Sequence, residues 1–551
     1  MPRIRHLGPV LSLSVALVLT ACSSSTSPRT AKLTKTSTKA GLATTVRYSP
    51  PKCRETRPAP PAVVSLSSVQ HDYVMTSFDQ TEIRFHWYPL EHAAPTVLMG
   101  PGWGEAGATE TSGTGLFGDS PIKALQAEGY HVLTWDPRGF GQSTGTITVD
   151  SADAEGRDVQ ALLDWLATQP NVQLDRPTDP RVGMVGGSYG GGIQIVTAAI
   201  DCRVDAIVPT IAWHSLTTSL NKAGTVKIGW SNILYSAAAR RQLDPHIRSS
   251  YNAGVATGVI SAADRAWFAS RGPGALLAKV KIPTLFIQGT VDTLFTLDEA
   301  VTNYRILRRH GVPTAMLWYC GGHGVCLTDP GDTKRSQTAT NAWLKRWLQR
   351  DTSVDTGPRV DIIDQHGTRF TAADEPVASG SPLRATGTGT LSLAAEGGSG
   401  PSTAKAQSGG PIGGIATGIA PASATNAVNV TIRAGAAPST LVGAPMLSVT
   451  YSGTTPPGER PTRIFAQLVD DATGLVLGNQ ITPIAVILDG RAHKVTVPLE
   501  IVAHTLAAGE TVTLQLVATT VAYAPPRFGG SIDFTRIGIT VPVATGLTKA
   551  R

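Results

Sequence analysis

Apolar residues recur along this chain with two periods, and the switch between them marks its organisation. Between about residues 61 and 353, compact apolar runs alternate with stretches in which apolar residues return every three or four positions. Thr96-Val97-Leu98-Met99, Val182-Gly183-Met184-Val185, Ile282-Pro283-Thr284-Leu285-Phe286-Ile287 and Thr314-Ala315-Met316-Leu317-Trp318-Tyr319 are such runs and predict strands. Asp158 to Leu166 and Thr333 to Leu348 predict helices, the second burying Trp343, Leu344 and Trp347 on one face. Tyr73 to Phe78 and Ile83 to Tyr88 predict an opening antiparallel hairpin. Strand–helix alternation of this kind implies an α/β domain built on a parallel sheet. Over about residues 212–280 the strands stop and the pattern turns helical and irregular, which predicts an inserted cap. Trp213, Trp230, Tyr235, Trp267 and Phe268 lie there and are candidates to line an acyl or proline pocket, most of them as cap core.

From about Val354 the period becomes two. Val428-Asn429-Val430-Thr431-Ile432, Met446-Leu447-Ser448-Val449-Thr450, Ile464 to Val469, Val495-Thr496-Val497 and Val512 to Leu516 alternate apolar and polar positions between Gly, Pro, Asn and Asp. Residues 354–551 are therefore expected to form an all-β sandwich. Inside it, residues 385–424 are rich in Gly, Ser, Ala, Thr and Pro and are expected to form a long flexible loop.

Composition narrows the picture. At 551 residues, two or three domains are expected. A 41% hydrophobic and 16% charged chain is globular rather than disordered. The net charge of +7 is spread without a Lys/Arg run, so nucleic acid is not an expected partner. No phosphate-cradling loop ending in Gly-Lys-Ser/Thr occurs, so an ATPase has no support, and no cofactor enters this reading. Arg3 and Arg5 precede an apolar stretch from Val10 to Leu19, too short to span a bilayer, and Leu19-Thr20-Ala21-Cys22 matches the bacterial lipobox. Residues 1–21 are thus expected to be a lipoprotein signal peptide, Cys22 the lipidated residue, and residues 22–60 a loose tether. The protein is expected outside the cytoplasm, anchored to the bacterial cell membrane. The alternative is an ordinary signal peptide cut near Ala21.

The chemistry centres on Gly186-Gly187-Ser188-Tyr189-Gly190. A G-x-S-x-G turn between a strand and a helix is a nucleophile elbow, with the Ser188 hydroxyl held clear of the sheet at a helix N-terminus. Its base and orienting acid are expected later in the chain, in the order acid then His. Asp292 follows one apolar strand and His323, within Cys320-Gly321-Gly322-His323-Gly324, follows the next. Both lie where catalytic groups collect in a parallel sheet. Asp298 is the alternative acid. The oxyanion hole is assigned to the Tyr189 N–H and to Trp103 or Gly102 in the loop Gly100-Pro101-Gly102-Trp103-Gly104. Asp136 and Arg138 in Asp136-Pro137-Arg138-Gly139-Phe140 are expected to brace loops.

With Gly-Gly-Ser-Tyr-Gly-Gly, Asp-Pro-Arg-Gly-Phe-Gly-Gln-Ser, the Asp292 and His323 loops and a β-rich C-terminal part in place, the chain resembles the X-prolyl dipeptidyl aminopeptidase and cocaine esterase family of α/β-hydrolases. The resemblance implies an α/β-hydrolase domain with a helical cap, followed by an all-β jelly-roll domain that helps to wall the active site. It implies Ser188 as nucleophile, His323 as base and Asp292 as its partner, acting on a small ester or peptide substrate. Some relatives place a tyrosine in the oxyanion hole. The loop at Gly100–Gly104 has none. Dipeptide specificity requires an acidic group for the substrate's free amine, and Glu105 and Glu110 are the nearby carboxylates in sequence.

Export permits disulfides, and Cys53, Cys202, Cys320 and Cys326 allow three pairings. A Cys320–Cys326 bridge would stiffen the loop carrying the base and leave Cys53 and Cys202 to tie the N-terminal extension to the domain. A zinc site on C-x-x-H-x-x-C lacks a second ligand pair and would consume His323, so no metal is assigned. The competing reading is a non-catalytic surface lipoprotein that binds glycan or peptide through its β-sandwich. The oligomeric state is not encoded in any feature found.

Overall fold

The computed structural model describes residues 59–66, 71–112, 121–405 and 413–550. Among them, twelve strands form one sheet whose middle is parallel. His131–Trp135, Thr96–Met99, Val182–Gly187, Val204–Thr210, Thr284–Gly289, Thr314–Tyr319 and Val360–Ile363 run side by side in that order. Antiparallel strands flank them, with Glu82–Tyr88 and Asp72–Thr76 forming the expected hairpin at one edge. The central strands are buried along their whole length, which is why they read as apolar runs rather than alternating ones. Helices Glu155–Leu166 and Leu297–Arg309 bury one apolar stripe each, Tyr189–Ile200 is buried on all sides from Tyr189 to Ala198, and Arg335–Trp347 buries Trp343 and Leu344. Two apolar clusters result, one on each face of the sheet.

Between Val204–Thr210 and Thr284–Gly289 the chain leaves the sheet and forms four short helices: Leu216–Leu220, Ile228–Ala238, Pro245–Thr257 and Ala262–Ala269. These occupy the stretch in which strand periodicity was missing. Side-chain caps start three of them, Ser215 on Thr217, Asp244 on His246 and Ser261 on Asp264.

Two four-stranded antiparallel sheets make up the C-terminal part: Leu383–Ser392, Ser531–Val541, Met446–Thr454 and His493–Pro498 in one, and Ala427–Arg433, Thr511–Val517, Arg463–Asp470 and Thr482–Ala485 in the other. They share one apolar core. Two expectations are corrected here. The boundary at residue 354 cuts through the large sheet, because Val360–Ile363 pairs parallel with Thr314–Tyr319, and Arg369–Ala372 and Leu547–Lys549 extend the same edge. The end of helical periodicity marked residue 354, but strand pairing is non-local and is not written in composition. The flexible loop expected over residues 385–424 contains most of the ten-residue strand Leu383–Ser392 and a helix, Gly413–Gly418. Its Gly/Thr content is a packing feature: a Cβ at Gly387 or Gly389 would come within 2.6 or 2.7 Å of Val430 or Val428 on the opposite sheet. Residues 406–412 lie outside the described residues, as do the signal peptide, Cys22 and Cys53. No helix among the described residues is long and apolar enough to cross a membrane.

Candidate active site

The strand Val182–Gly187 ends at Ser188, and the helix Tyr189–Ile200 begins at the next residue. Reversing direction in one residue forces Ser188 to φ 57° and ψ −116°, a conformation that costs on the order of 1–3 kcal/mol in a residue with a side chain. The strain is held by hydrogen bonds from the Ser188 N–H to the Thr210 carbonyl (2.9 Å) and from the Gly191 and Gly192 N–H groups to the Ser188 carbonyl. Buried Gln194 adds a clamp, donating to the Gly186 and Gly190 carbonyls and accepting from the Val208 N–H. A Cβ at Gly190 would lie 2.1 Å from the Gly100 oxygen, so only glycine lets the elbow approach the neighbouring loop.

Asp292 and His323 leave the C-terminal ends of adjacent parallel strands, and the fold brings both to Ser188. The His323 Nε2 lies 2.7 Å from Ser188 Oγ, and its Nδ1 lies 2.8 Å from Asp292 Oδ2. With a carboxylate beside Nδ1, the proton sits on that nitrogen and Nε2 is left to accept from the serine hydroxyl. All three residues are buried, Asp292 completely. The second Asp292 oxygen accepts the Leu294 and Phe295 N–H groups at 2.9 and 2.8 Å, which fixes the carboxylate's orientation. Edge contacts from Phe295 (5.0 Å between ring centres) and Trp230 (5.7 Å) hold the imidazole plane. Gly322, at φ 106°, lets the His323 loop pass Asp292, where a Cβ would come within 2.7 Å of the carboxylate. Asp298, the alternative acid, lies in the next helix, 3.9 Å from Lys222 and not on His323.

At the candidate oxyanion position, Tyr189 is the first residue of its helix, so its N–H has no partner within the helix. The Tyr189 hydroxyl turns toward Glu155 at 3.3 Å. In the opposite loop the Gly102 N–H donates to Glu105 Oε2 at 3.0 Å, while the Trp103 N–H has no protein acceptor among the described residues. Trp103 is held by its indole N–H on the Leu234 carbonyl and by an edge contact with Tyr189. Asp136 and Arg138 stay behind the site. Asp136 accepts the Gly107 and Gln142 N–H groups, and Arg138 grips Asp158 with two bonds of 2.7 Å.

Ser188 opens into a cavity of about 110 Å³. The helical segment supplies most of its wall, with Leu220, Leu234, Ile247 and Phe268 facing Trp103 and Phe295. Of the aromatic candidates, Trp213, Tyr235 and Phe268 line it, Trp230 packs on His323 instead, and Trp267 does not reach it. The C-terminal sheets contribute nothing to this wall among the described residues, which corrects the expectation that they help to enclose the site. They meet it from behind. Gln480 donates to the Asp292 carbonyl at 2.7 Å, and Asn479 to the Val325 carbonyl at 2.8 Å. Glu500, completely buried, accepts from Thr296 and pairs with Lys222. Burial pushes the Glu500 carboxyl up, but Lys222, a hydrogen bond with Asp298 and then Lys227 outweigh this and hold it at about 2. Lys227 is buried too and donates to the Leu294 carbonyl; burial brings its ammonium down to about 8 against the pull of Glu500.

Sequence reasoning missed Gln480, Asn479 and Glu500. Leu477-Gly478-Asn479-Gln480 reads as an ordinary turn, and the partners of the Asn479 and Gln480 side chains are more than 150 residues away. Gln194 carried a signal, a lone amide between Ile193 and Ile195 in an apolar helix. Cys320 and Cys326 are disulfide-bonded to each other across His323, and Cys202 is also in a disulfide. No group of three or more His, Cys, Asp or Glu side chains is arranged to hold a metal among the described residues.

Residues 81–324 match the family model of the X-Pro dipeptidyl-peptidases (S15 family), a segment that begins at the hairpin and ends one residue past His323. Among curated proteins, the quorum-quenching protein AidA of Acinetobacter baumannii is 29% identical over 173 residues, which cover 30% of this chain and 53% of that protein. The chain spans about a third to a half of the length of the first curated relatives it matches. Two solved structures share the architecture over nearly the whole chain. An α-amino acid ester hydrolase has a TM-score of 0.66 at 12% identity, covering 92% of this chain and all of that one. A CocE/NonD family hydrolase from Staphylococcus aureus has a TM-score of 0.60 at 12% identity, covering 88% and 99%. The S15 family model matches the site-bearing segment, and the likeness to these two structures shows the fold, an α/β-hydrolase core followed by smaller antiparallel sheets.

Proposed function

We propose that this protein is a serine hydrolase of the cell envelope that cleaves ester or peptide bonds through an acyl-enzyme. The observation that carries this reading is the unbroken chain of hydrogen bonds from Ser188 Oγ through His323 to Asp292, at 2.7 and 2.8 Å. Ser188 Oγ attacks the substrate carbonyl and its proton passes to His323 Nε2. Asp292 stabilises the imidazolium. The Tyr189 and Trp103 N–H groups meet the oxyanion, each such donor being worth about 10²–10³ in kcat. His323 then gives its proton to the leaving group as the carbonyl–leaving-group bond breaks. Water, deprotonated by His323, releases the acid from Ser188 Oγ. The proteins this chain resembles carry names as different as peptidase, ester hydrolase and quorum-quenching protein, so the likeness leaves the acyl group open.

In this reading residues 212–280 are the cap, the C-terminal sheets are a jelly-roll accessory domain, Cys53 pairs with Cys202, and the lipid on Cys22 anchors the protein to the outer face of the bacterial membrane. A fluorophosphonate probe tests the chemistry. Labelling at Ser188 that is abolished in Ser188→Ala, together with a loss of turnover on the order of 10⁶, is the expected result. An unlabelled protein, or an active Ser188→Ala variant, contradicts it. Labelling of intact cells with radioactive palmitate tests the anchor, with incorporation lost in Cys22→Ser.

A further inference from the structure

The cavity beside Ser188 has no charged side chain among the described residues that line it. Neither sequence candidate for receiving a free amine reaches it. Glu105 is tied to the Gly102 N–H, and Glu110 is exposed and accepts both the N–H and hydroxyl of Ser112. Arg248, on the Tyr235 hydroxyl at 2.7 Å, brings a positive charge to that side. An ammonium entering this cavity would lose its hydration and find no counter-charge on the lining residues, whereas an uncharged chain would be stabilised at every methylene. A second observation refines the ligand. Asn221 and Ser250, each 7% exposed, line the same cavity, and neither the Asn221 amide nor the Ser250 hydroxyl has a hydrogen-bond partner among the described residues. Buried polar groups are nearly always paired, so two left unpaired on the wall of one cavity call for a partner, and a ligand seated there would supply it.

Building on the serine-hydrolase reading, we propose that the site takes an uncharged, largely apolar acyl group bearing one neutral hydrogen-bonding group, an amide or hydroxyl, that meets Asn221, and that it rejects acyl groups with a free α-amine. At about 10–15 Å³ per water-sized group, the cavity holds an acyl chain of roughly seven to eleven such units.

The test is a panel of p-nitrophenyl esters, corrected for uncatalysed hydrolysis, on protein whose active fraction is counted with a fluorophosphonate. From acetate to octanoate, kcat/KM should rise about fourfold per methylene until the cavity is full. Leucine ester should fall at least about a hundredfold below its deaminated counterpart, the 4-methylpentanoate. N-pentanoylglycine ester, equal in length to octanoate, should be preferred to it about fivefold, and Asn221→Leu should reverse that order. Retained fluorophosphonate labelling shows that the variant is folded. Leucine ester turned over as well as 4-methylpentanoate, or an amide preference unmoved by Asn221→Leu, overturns the proposal while Ser188 labelling leaves the hydrolase reading intact. No labelling and no turnover of any ester overturns both.

Discussion

The catalytic candidates are gripped from two sides by regions of opposite character. The helical segment between residues 212 and 280 lines the cavity at Ser188 mainly with aliphatic and aromatic side chains and sets the Trp230 ring edge-on to His323. The C-terminal sheets face the same two loops with amides and charges, through Gln480, Asn479 and Glu500. The apolar side shapes what can bind, since hydrophobic contacts are graded and non-directional. The polar side fixes where Asp292 and His323 stand, since hydrogen bonds are directional. Substitutions on the two sides should therefore separate: KM and chain-length preference on the first, kcat and stability on the second.

The largest expected effect lies where the polar grip converges. Asp292→Asn should lower kcat by roughly 10⁴ with little change in KM, because the imidazole loses its fixed tautomer; single-turnover kinetics checks this. Next, Glu500→Gln removes the main counter-charge of buried Lys227 and the nearer of the two carboxylates beside Lys222. It should cost about 3–5 kcal/mol of stability, read from denaturant unfolding. Gln480→Leu, which frees the Asp292 carbonyl, should lower kcat roughly tenfold at constant KM. If either variant changed KM alone, the division of labour would be wrong.

Acid sharpens the same contrast. His504, 3% exposed in the strand Val502–Leu506, is held at about 4, first by burial and then by His366 beside it. An unfolded histidine titrates near 6.5, so between these values the unfolded chain binds more protons. The stability that neutral His504 allows is complete above about pH 6.5 and lost as pH falls toward 4, by on the order of a few kcal/mol. Thermal melts at pH 7 and pH 4.5 should show the drop, and His504→Gln should remove much of it. The smallest effect belongs to the apolar side. Leu220→Ala, at the cavity wall, should raise KM a few-fold for long acyl esters and leave acetate and kcat unchanged.

What was legible in the sequence follows the same line. Buried parallel strands and amphipathic helices leave local periodic traces, so the strand before Ser188 and the helix after it were placed within a few residues. Ser188, Asp292 and His323 were legible because glycines and strand ends surround them. Leu383–Ser392 was misread, since glycines that let two sheets approach look like loop composition. The boundary at residue 354 failed because Val360–Ile363 belongs to a sheet begun almost 300 residues earlier. Gln480 and Glu500 were invisible for the same reason: their importance lies in partners that only the fold brings near.

The most direct test of the Ser188–His323–Asp292 relay is to catch the acyl-enzyme. After rapid acid quench of a p-nitrophenyl hexanoate reaction, peptide mass mapping should find one hexanoyl group, on the peptide containing Ser188. It should accumulate in step with a burst of p-nitrophenol and be absent from Ser188→Ala. A hexanoyl group on another residue, or full turnover with Ser188 replaced, would contradict the account.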